Sequence, residues 1–284
     1  MTELTTIAEM RVWSRAEREA GRRIGLVPTM GYLHEGHLAL VDEARRRTDA
    51  VVLSIFVNPL QFGPREDLAR YPRDLPRDRS LALSRGVDAL FVPSVEMMYP
   101  SGSEVRVTPG ETAERWEGAA RPGHFTGVLT VVAKLFHVVQ PDLACFGQKD
   151  IQQLTLIRRM VRDLDWPIEL VGVQTVREPD GLALSSRNAY LNADERRQAL
   201  ALSRSLLAAH RSFCEGEREA PRLEQHMRRV LEAEPAVRVE YIAIVEPEGL
   251  SPISTADGRT IVAIAARIGS TRLIDNINLA QGLG

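Results

Sequence analysis

Apolar positions in the first half of the chain switch repeatedly between two periods. Ile24 to Thr29 is a short apolar run closed by Gly31. His37 to Thr48 then carries Leu38, Leu40, Val41 and Ala44 at helical spacing and ends on Arg45 to Arg47, cations suited to a helix C-terminus. Ala50 to Val57 is almost continuously apolar, which predicts a strand covered on both faces, and Asn58-Pro59 stops it. A strand, helix and strand within about 30 residues form the length of a parallel crossover unit. The alternation continues with predicted helices over 79–85, 127–139 and 150–164, and predicted strands over 87–92, 142–146 and 168–176. Such alternation implies an α/β fold, a doubly wound Rossmann-like parallel sheet with helices on both faces.

The pattern changes after Val176. Residues 193–213 and 221–232 read as helices, followed by three strand-like runs over 237–245, 260–267 and 271–279. Helices followed by strands suggest a smaller α+β unit with a partly antiparallel sheet. The turn-rich tetrad Glu178-Pro179-Asp180-Gly181 marks the boundary. The expected domains are therefore 1–176 and 177–284.

Composition narrows the function. Among 284 residues, 36 Lys+Arg face 38 Asp+Glu, a net charge of −2, which argues against a broad nucleic-acid or membrane-surface footprint. No apolar stretch reaches the roughly 20 residues a membrane span needs. Residues 1–9 lack the basic flank and apolar run of a signal peptide, so a cytoplasmic location is expected. The two cysteines, Cys145 and Cys214, offer neither metal spacing nor a disulfide framework. Lysine occurs only at Lys134 and Lys149 in a chain otherwise supplied with arginine. That bias has a genomic explanation, yet it draws attention to two compact point charges that arginine does not reproduce.

The sharpest chemistry lies in Pro28-Thr29-Met30-Gly31-Tyr32-Leu33-His34-Glu35-Gly36-His37, where the first strand-like run gives way to a helix. Ligands of open α/β sheets bind beyond the carboxyl ends of strands, and helix N-terminal amides there attract anions. Gly31 and Gly36 allow close backbone approach, and His34 and His37 add donors, a combination suited to a polyphosphate. Helix capping alone is the lesser, competing reading of the two histidines. Their i, i+3 spacing does not fit the His-Glu-x-x-His zinc helix, and neither lysine completes a Gly-x4-Gly-Lys phosphate loop.

Three further segments fall at strand ends or at the domain junction. Phe146-Gly147-Gln148-Lys149-Asp150, with Gln152 and Gln153, places one of the two lysines at a strand-to-helix turn. Asp180 to Asn188 contains Ser185-Ser186-Arg187, donors matched to phosphate oxygens. Asn58 to Gly63 offers Gln61, an amide able to donate to and accept from a small polar substrate. Arg121 to Phe125 is another glycine-bearing loop.

Together with Tyr71-Pro72-Arg73 and Thr271 to Asn276, these segments resemble, in order and over nearly the whole chain, the pantothenate synthetase (pantoate–β-alanine ligase) family. That family lies within the nucleotidyltransferase superfamily marked by His-x-Gly-His. The resemblance implies ATP-dependent condensation of (R)-pantoate with β-alanine through pantoyl adenylate, releasing AMP and pyrophosphate. It assigns Met30, Gly31, Tyr32, Leu33, His34, Glu35, Gly36 and His37 to ATP, with His34 and His37 on the phosphates and His37 the residue usually called the proton donor. Gly147, Gln148, Lys149, Asp150, Val176, Leu184, Ser185, Ser186 and Arg187 complete the ATP site, with Lys149 counted among the catalytic groups. Gln61 and Gln153 hold pantoate, and Gln61 also serves β-alanine. The resemblance further implies Mg2+ accompanying ATP, with Asp78 as a candidate indirect contact, and a homodimeric assembly. A plain nucleotidyltransferase would share the histidine rim but lack the amine-consuming step, and a silent nucleotide-binding module would lack turnover.

Overall fold

The structure, a computed structural model, describes residues 1–64 and 66–283. The chain divides into two compact units. One comprises Met1–Ala113, Arg121–Gly147 and Leu156–Val173; the other comprises Glu114–Ala120, Gln148–Thr155 and Gln174–Gly284.

The first unit is built on a six-stranded sheet. In chain order its elements are β1 (Thr2–Leu4), α1 (Ile7–Glu19), β2 (Ile24–Thr29), α2 (Glu35–Arg47), β3 (Ala50–Ile55), α3 (Leu75–Ser84), β4 (Ala89–Phe91) and α4 (Val95–Met98). After α5 (Glu117–Ala120), which belongs to the second unit, come α6 (His124–Val139), β5 (Leu143–Gly147), α7 (Ile151–Asp163), whose start up to Thr155 belongs to the second unit, and β6 (Glu169–Val173). The strand order is β1-β4-β3-β2-β5-β6, and every pairing is parallel.

The apolar runs expected for 24–29 and 50–57 are the central strands β2 and β3, buried along nearly their whole length. One face packs Leu40, Val41 and Ala44 of α2 and Ala82 of α3 against Val27, Val51, Leu53 and Cys145. Direction reverses between β2 and β5, since β3 and β4 extend one way and β6 the other. That is the switch point where open sheets make their crevice. The β2–β5 pairing ends at Leu26–Ala144, so Pro28, which has no N–H, interrupts no ladder on that side.

In the second unit α8 (Ala193–Ala199), α9 (Ala201–Cys214) and α10 (Ala220–Glu232) precede β7 (Val237–Val245), β8 (Ile261–Ile268) and β9 (Thr271–Asn278). Residues 193–213 are two helices that break at Leu200 rather than one, and the sheet β7-β8-β9 is antiparallel throughout. Alternation along β8 sends Val262, Ile264 and Ala266 to a core shared with Leu206, Leu223 and Met227. Ile261 and Ala263 go to a second cluster with Val245 and Leu250. Among the described residues no helix is long and apolar enough to cross a membrane.

Candidate active site

In the first unit the histidine motif is the turn from β2 into α2. Gly31 and Tyr32 both take left-handed backbone conformations, with φ of 80° and 50°. Asp78, at the start of α3 and only 1% exposed, accepts the amides of Tyr32 and Leu33 at 2.7 Å each. A Cβ on Gly31 would press on Asp78 Oδ2 at 3.0 Å and Ile55 at 2.9 Å, so glycine is required both for φ and for space. Thr29 Oγ1 donates to Ser54 O at 2.7 Å and accepts Gly31 N–H at 3.2 Å. Arg77 donates to Leu33 O at 2.9 Å while its guanidinium lies 5.5 Å from the Tyr32 ring centre. The turn is thus fixed by bonds from β3 and α3.

The histidines form a reciprocal cap. His34 Nδ1 accepts Gly36 N–H at 3.1 Å, and His37 Nδ1 accepts His34 N–H at 3.3 Å. Their rings lie 4.1 Å apart between centres. Because each Nδ1 receives a backbone proton, each neutral ring carries its own proton on Nε2. Capping and donation to an anion are therefore compatible, since they use opposite nitrogens. Leu33 is a core side chain, and Glu35, at the exposed start of α2, pairs with Arg85 at 2.8 Å.

Gln61 sits in a single 3-10 turn, Pro59–Gln61, that Asn58 caps. Asn58 is 1% exposed and makes four bonds. Its Oδ1 accepts Leu60 N–H at 3.3 Å and its Nδ2 donates to Gly127 O at 3.0 Å. These two backbone partners fix which way the amide faces. Consequently the atom Gln61 turns toward Nδ2, at 3.1 Å, is Oε1, and the Gln61 NH2 faces the Met30 sulfur at 3.0 Å. The Gln61 carbonyl is held by Arg121 at 3.1 Å and by His124 Nδ1 at 2.8 Å, and Arg121 pairs with Glu66 at 2.7 Å. Gln61 accordingly presents a hydrogen-bond donor.

In the second unit, Gln148–Asp150 is a 3-10 turn leading into α7. Asn276 of β9 donates to Gln148 O at 3.0 Å and to Lys149 O at 2.8 Å. Its neighbour Asp275 holds Arg177 by two bonds of 2.7 and 2.9 Å, and Arg177 also donates to Gly181 O at 3.1 Å. Val176 and Leu184 face each other across a tight turn, Leu184 N–H donating to Val176 O at 3.0 Å, and Ser185 caps the 3-10 segment 186–190. Two adjacent residues of β9 therefore anchor both the Lys149 turn and the segment leading to Ser185, Ser186 and Arg187. The adjacent glutamines differ: Gln152, 6% exposed, binds Glu117 N–H and Arg115 O, both at 3.0 Å, whereas Gln153 is half-buried.

Three supporting roles were not readable from the sequence: Asn58 as the orienter of Gln61, Asp78 as the clasp of the histidine turn, and Asn276 with Asp275 as anchors in β9. Asn58-Pro59 at a strand end was the one local signal among them.

Among the described residues no cluster of three or more His, Cys, Asp or Glu is arranged to hold a metal. Both Asp78 oxygens are engaged by amides. Asp78 therefore has no oxygen left unengaged by these amides to ligate an ion directly.

A parallel sheet whose strand order changes direction beside a His-x-Gly-His turn defines an α/β protein with a strand-end crevice suited to an anionic ligand. Comparison with known proteins makes this specific. A family profile described as pantoate-beta-alanine ligase matches residues 2–278, and the chain belongs to that family. A pantothenate synthetase of Moorella thermoacetica is 54% identical over 98% of this chain and 99% of its own. The crystal structure of pantothenate synthetase from Thermus thermophilus superposes with a TM-score of 0.94 at 52% identity, covering 98% of this chain and 99% of that one. A pantoate-beta-alanine ligase from Francisella tularensis, complexed with beta-gamma ATP and beta-alanine, gives 0.81 at 32% identity with both chains fully covered. The chain is thus a ligase of pantothenate biosynthesis.

Proposed function

We propose that this chain condenses (R)-pantoate with β-alanine in two steps, with ATP as co-substrate. In the first, a pantoate carboxylate oxygen attacks the α-phosphorus of ATP. The bond to the bridging oxygen breaks and pyrophosphate leaves. In the second, the β-alanine amine attacks the acyl carbon of pantoyl adenylate, AMP leaves, and the nitrogen loses its proton.

Attack on phosphorus leaves the protein mainly with positioning and charge neutralisation. His34 and His37 would supply Nε2–H donors to the phosphates, with His37 the nearer to a proton-donor role, and Lys149 would offset charge on the departing pyrophosphate. Met30 to His37, Gly147 to Asp150, Val176 and Leu184 to Arg187 would form the nucleotide site. Magnesium would neutralise phosphate charge as it arrives with the nucleotide, and Asp78 would act on it only through the turn it holds. The division into an ATP- and pantoate-binding body, 1–176, and a smaller lid, 177–284, is part of this reading, as are a homodimeric assembly and a cytoplasmic location.

The observation that carries the reading is the fixed Gln61 amide, whose NH2 is turned away from Asn58. A donor in that position suits the carboxylate or hydroxyl oxygens of pantoate, and Gln153 would be its partner. Steady-state kinetics of Gln61→Ala test it: the pantoate KM should rise much more than the ATP KM. An unchanged pantoate dependence would remove Gln61 from the subsite.

A further inference from the structure

The hydrogen bonds that orient Gln61 continue one residue beyond Asn58. Tyr99, which follows α4, places its hydroxyl 2.9 Å from Asn58 Oδ1. The orientation of Asn58 is set by Leu60 N–H and Gly127 C=O, so the atom facing Tyr99 is an oxygen and the phenol must donate. Of the two donors to Oδ1, Tyr99 is the shorter, at 2.9 Å against 3.3 Å for Leu60 N–H.

The surroundings of Tyr99 favour that role. Its ring lies 6.0 Å from that of Phe56, while Lys134 Nζ and the Arg106 guanidinium lie 5.4 and 5.9 Å from its centre. Cations against a phenol ring draw electron density from it and make its O–H a better donor. Burial raises the Tyr99 pKa, which keeps the hydroxyl protonated, and Arg106 opposes that rise without cancelling it. Burial, and then Arg106, lower the Lys134 pKa. Lys134, one of the chain's two lysines, thus packs against the Tyr99 ring.

We propose that Tyr99 is a positioning residue of the pantoate subsite: its hydroxyl adds to the two backbone contacts that orient Asn58 and so helps hold the Gln61 amide with its NH2 turned away from Asn58. This inference rests on the assignment of Gln61 to pantoate. Tyr99 touches no reacting atom, and its effect passes through two side-chain amides.

Tyr99→Phe removes the hydroxyl and keeps the ring. Its pantoate KM should rise about three- to tenfold, the range for losing one ordinary hydrogen bond, with the ATP KM unchanged. In an Asn58→Ala background the same substitution should leave the pantoate KM where Asn58→Ala alone puts it. A role confined to packing would not separate pantoate from ATP. Gln61→Ala measured in parallel distinguishes the two levels. If Gln61→Ala raises the pantoate KM and Tyr99→Phe does not, the Tyr99 proposal is overturned while the Gln61 assignment stands. If Gln61→Ala leaves the pantoate KM unchanged, both fall. An equal Tyr99→Phe effect with and without Asn58 would also overturn the proposed route.

Discussion

His37 accepts the backbone N–H of His34 on Nδ1 at 3.3 Å, so the helix cap itself decides which nitrogen of the His37 ring carries the proton. The sequence motif leaves capping and phosphate donation as alternatives. The geometry makes them two ends of one imidazole.

Replacing His37 separates the two functions. His37→Ala should lower turnover about 10²–10³-fold, the range for losing one transition-state donor. His37→Gln, whose terminal NH2 reaches toward the Nε2 position, should retain more activity than His37→Asn, whose shorter amide can replace only the Nδ1 cap. Turnover rates for the three variants, with ATP saturating, check this order.

Asp78→Asn should damage the histidine turn. One of the two amides now bound would face an NH2 group, a mismatch worth about 1–3 kcal/mol when buried. The ATP KM should rise and the pantoate KM stay close to its starting value. Burial raises the Asp78 carboxyl above its ordinary value, with the amides of Leu33 and Tyr32 partly opposing. The folded state then holds that proton to higher pH than the unfolded chain. Its contribution to stability is complete below the ordinary carboxylate pKa and is lost as pH rises through the folded value. Because carboxylates with lowered pKa values give the opposite trend, the check is a difference: denaturant unfolding of both proteins across the acid range should show the parent losing stability relative to Asp78→Asn as pH rises.

These two cases show what could be read from the chain. The central strands and α2 were legible because β2 and β3 are apolar along nearly their whole length and Leu38, Leu40, Val41 and Ala44 keep a helical period. Helix α1 carries no periodic signal, since Met10, Ser14 and Glu17 are its only buried residues and make no apolar stripe; its Thr6–Glu9 capping box is its one local mark. The break at Leu200 has neither glycine nor proline to announce it. The candidate chemistry-bearing residues stand in short local motifs, which is why the sequence alone singles them out. Their supports are long-range: Asp78 reaches back 45 residues to Leu33, and Tyr99 reaches back 41 to Asn58. Side-chain bonds of that span leave no local period.

Gly127→Ala should link packing to substrate binding. A Cβ on Gly127 would collide with the Leu60 carbonyl and the Gln61 amide nitrogen, because α6 lies directly against the turn that carries Gln61. Overpacking there should cost about 1–3 kcal/mol. Chemical unfolding should register the loss, and the pantoate KM should rise in the fraction that remains folded.

Lys149→Ala should slow adenylate formation more than amide formation, because only the first step releases pyrophosphate. Single-turnover assays, one starting from ATP and pantoate and one from pantoyl adenylate with β-alanine, measure the steps separately. Equal losses in both would contradict the role given to Lys149. Asn276→Ala, which frees the carbonyls of Gln148 and Lys149, should reproduce the same imbalance more weakly.

The central claim is that the pantoate carboxylate is activated on ATP before any amine takes part. Pyrophosphate–ATP exchange, measured without β-alanine and with or without pantoate, tests it most directly. The account predicts exchange that requires pantoate, together with enzyme-bound pantoyl adenylate. Absence of both exchange and bound adenylate, in protein that still binds ATP and pantoate, would contradict it.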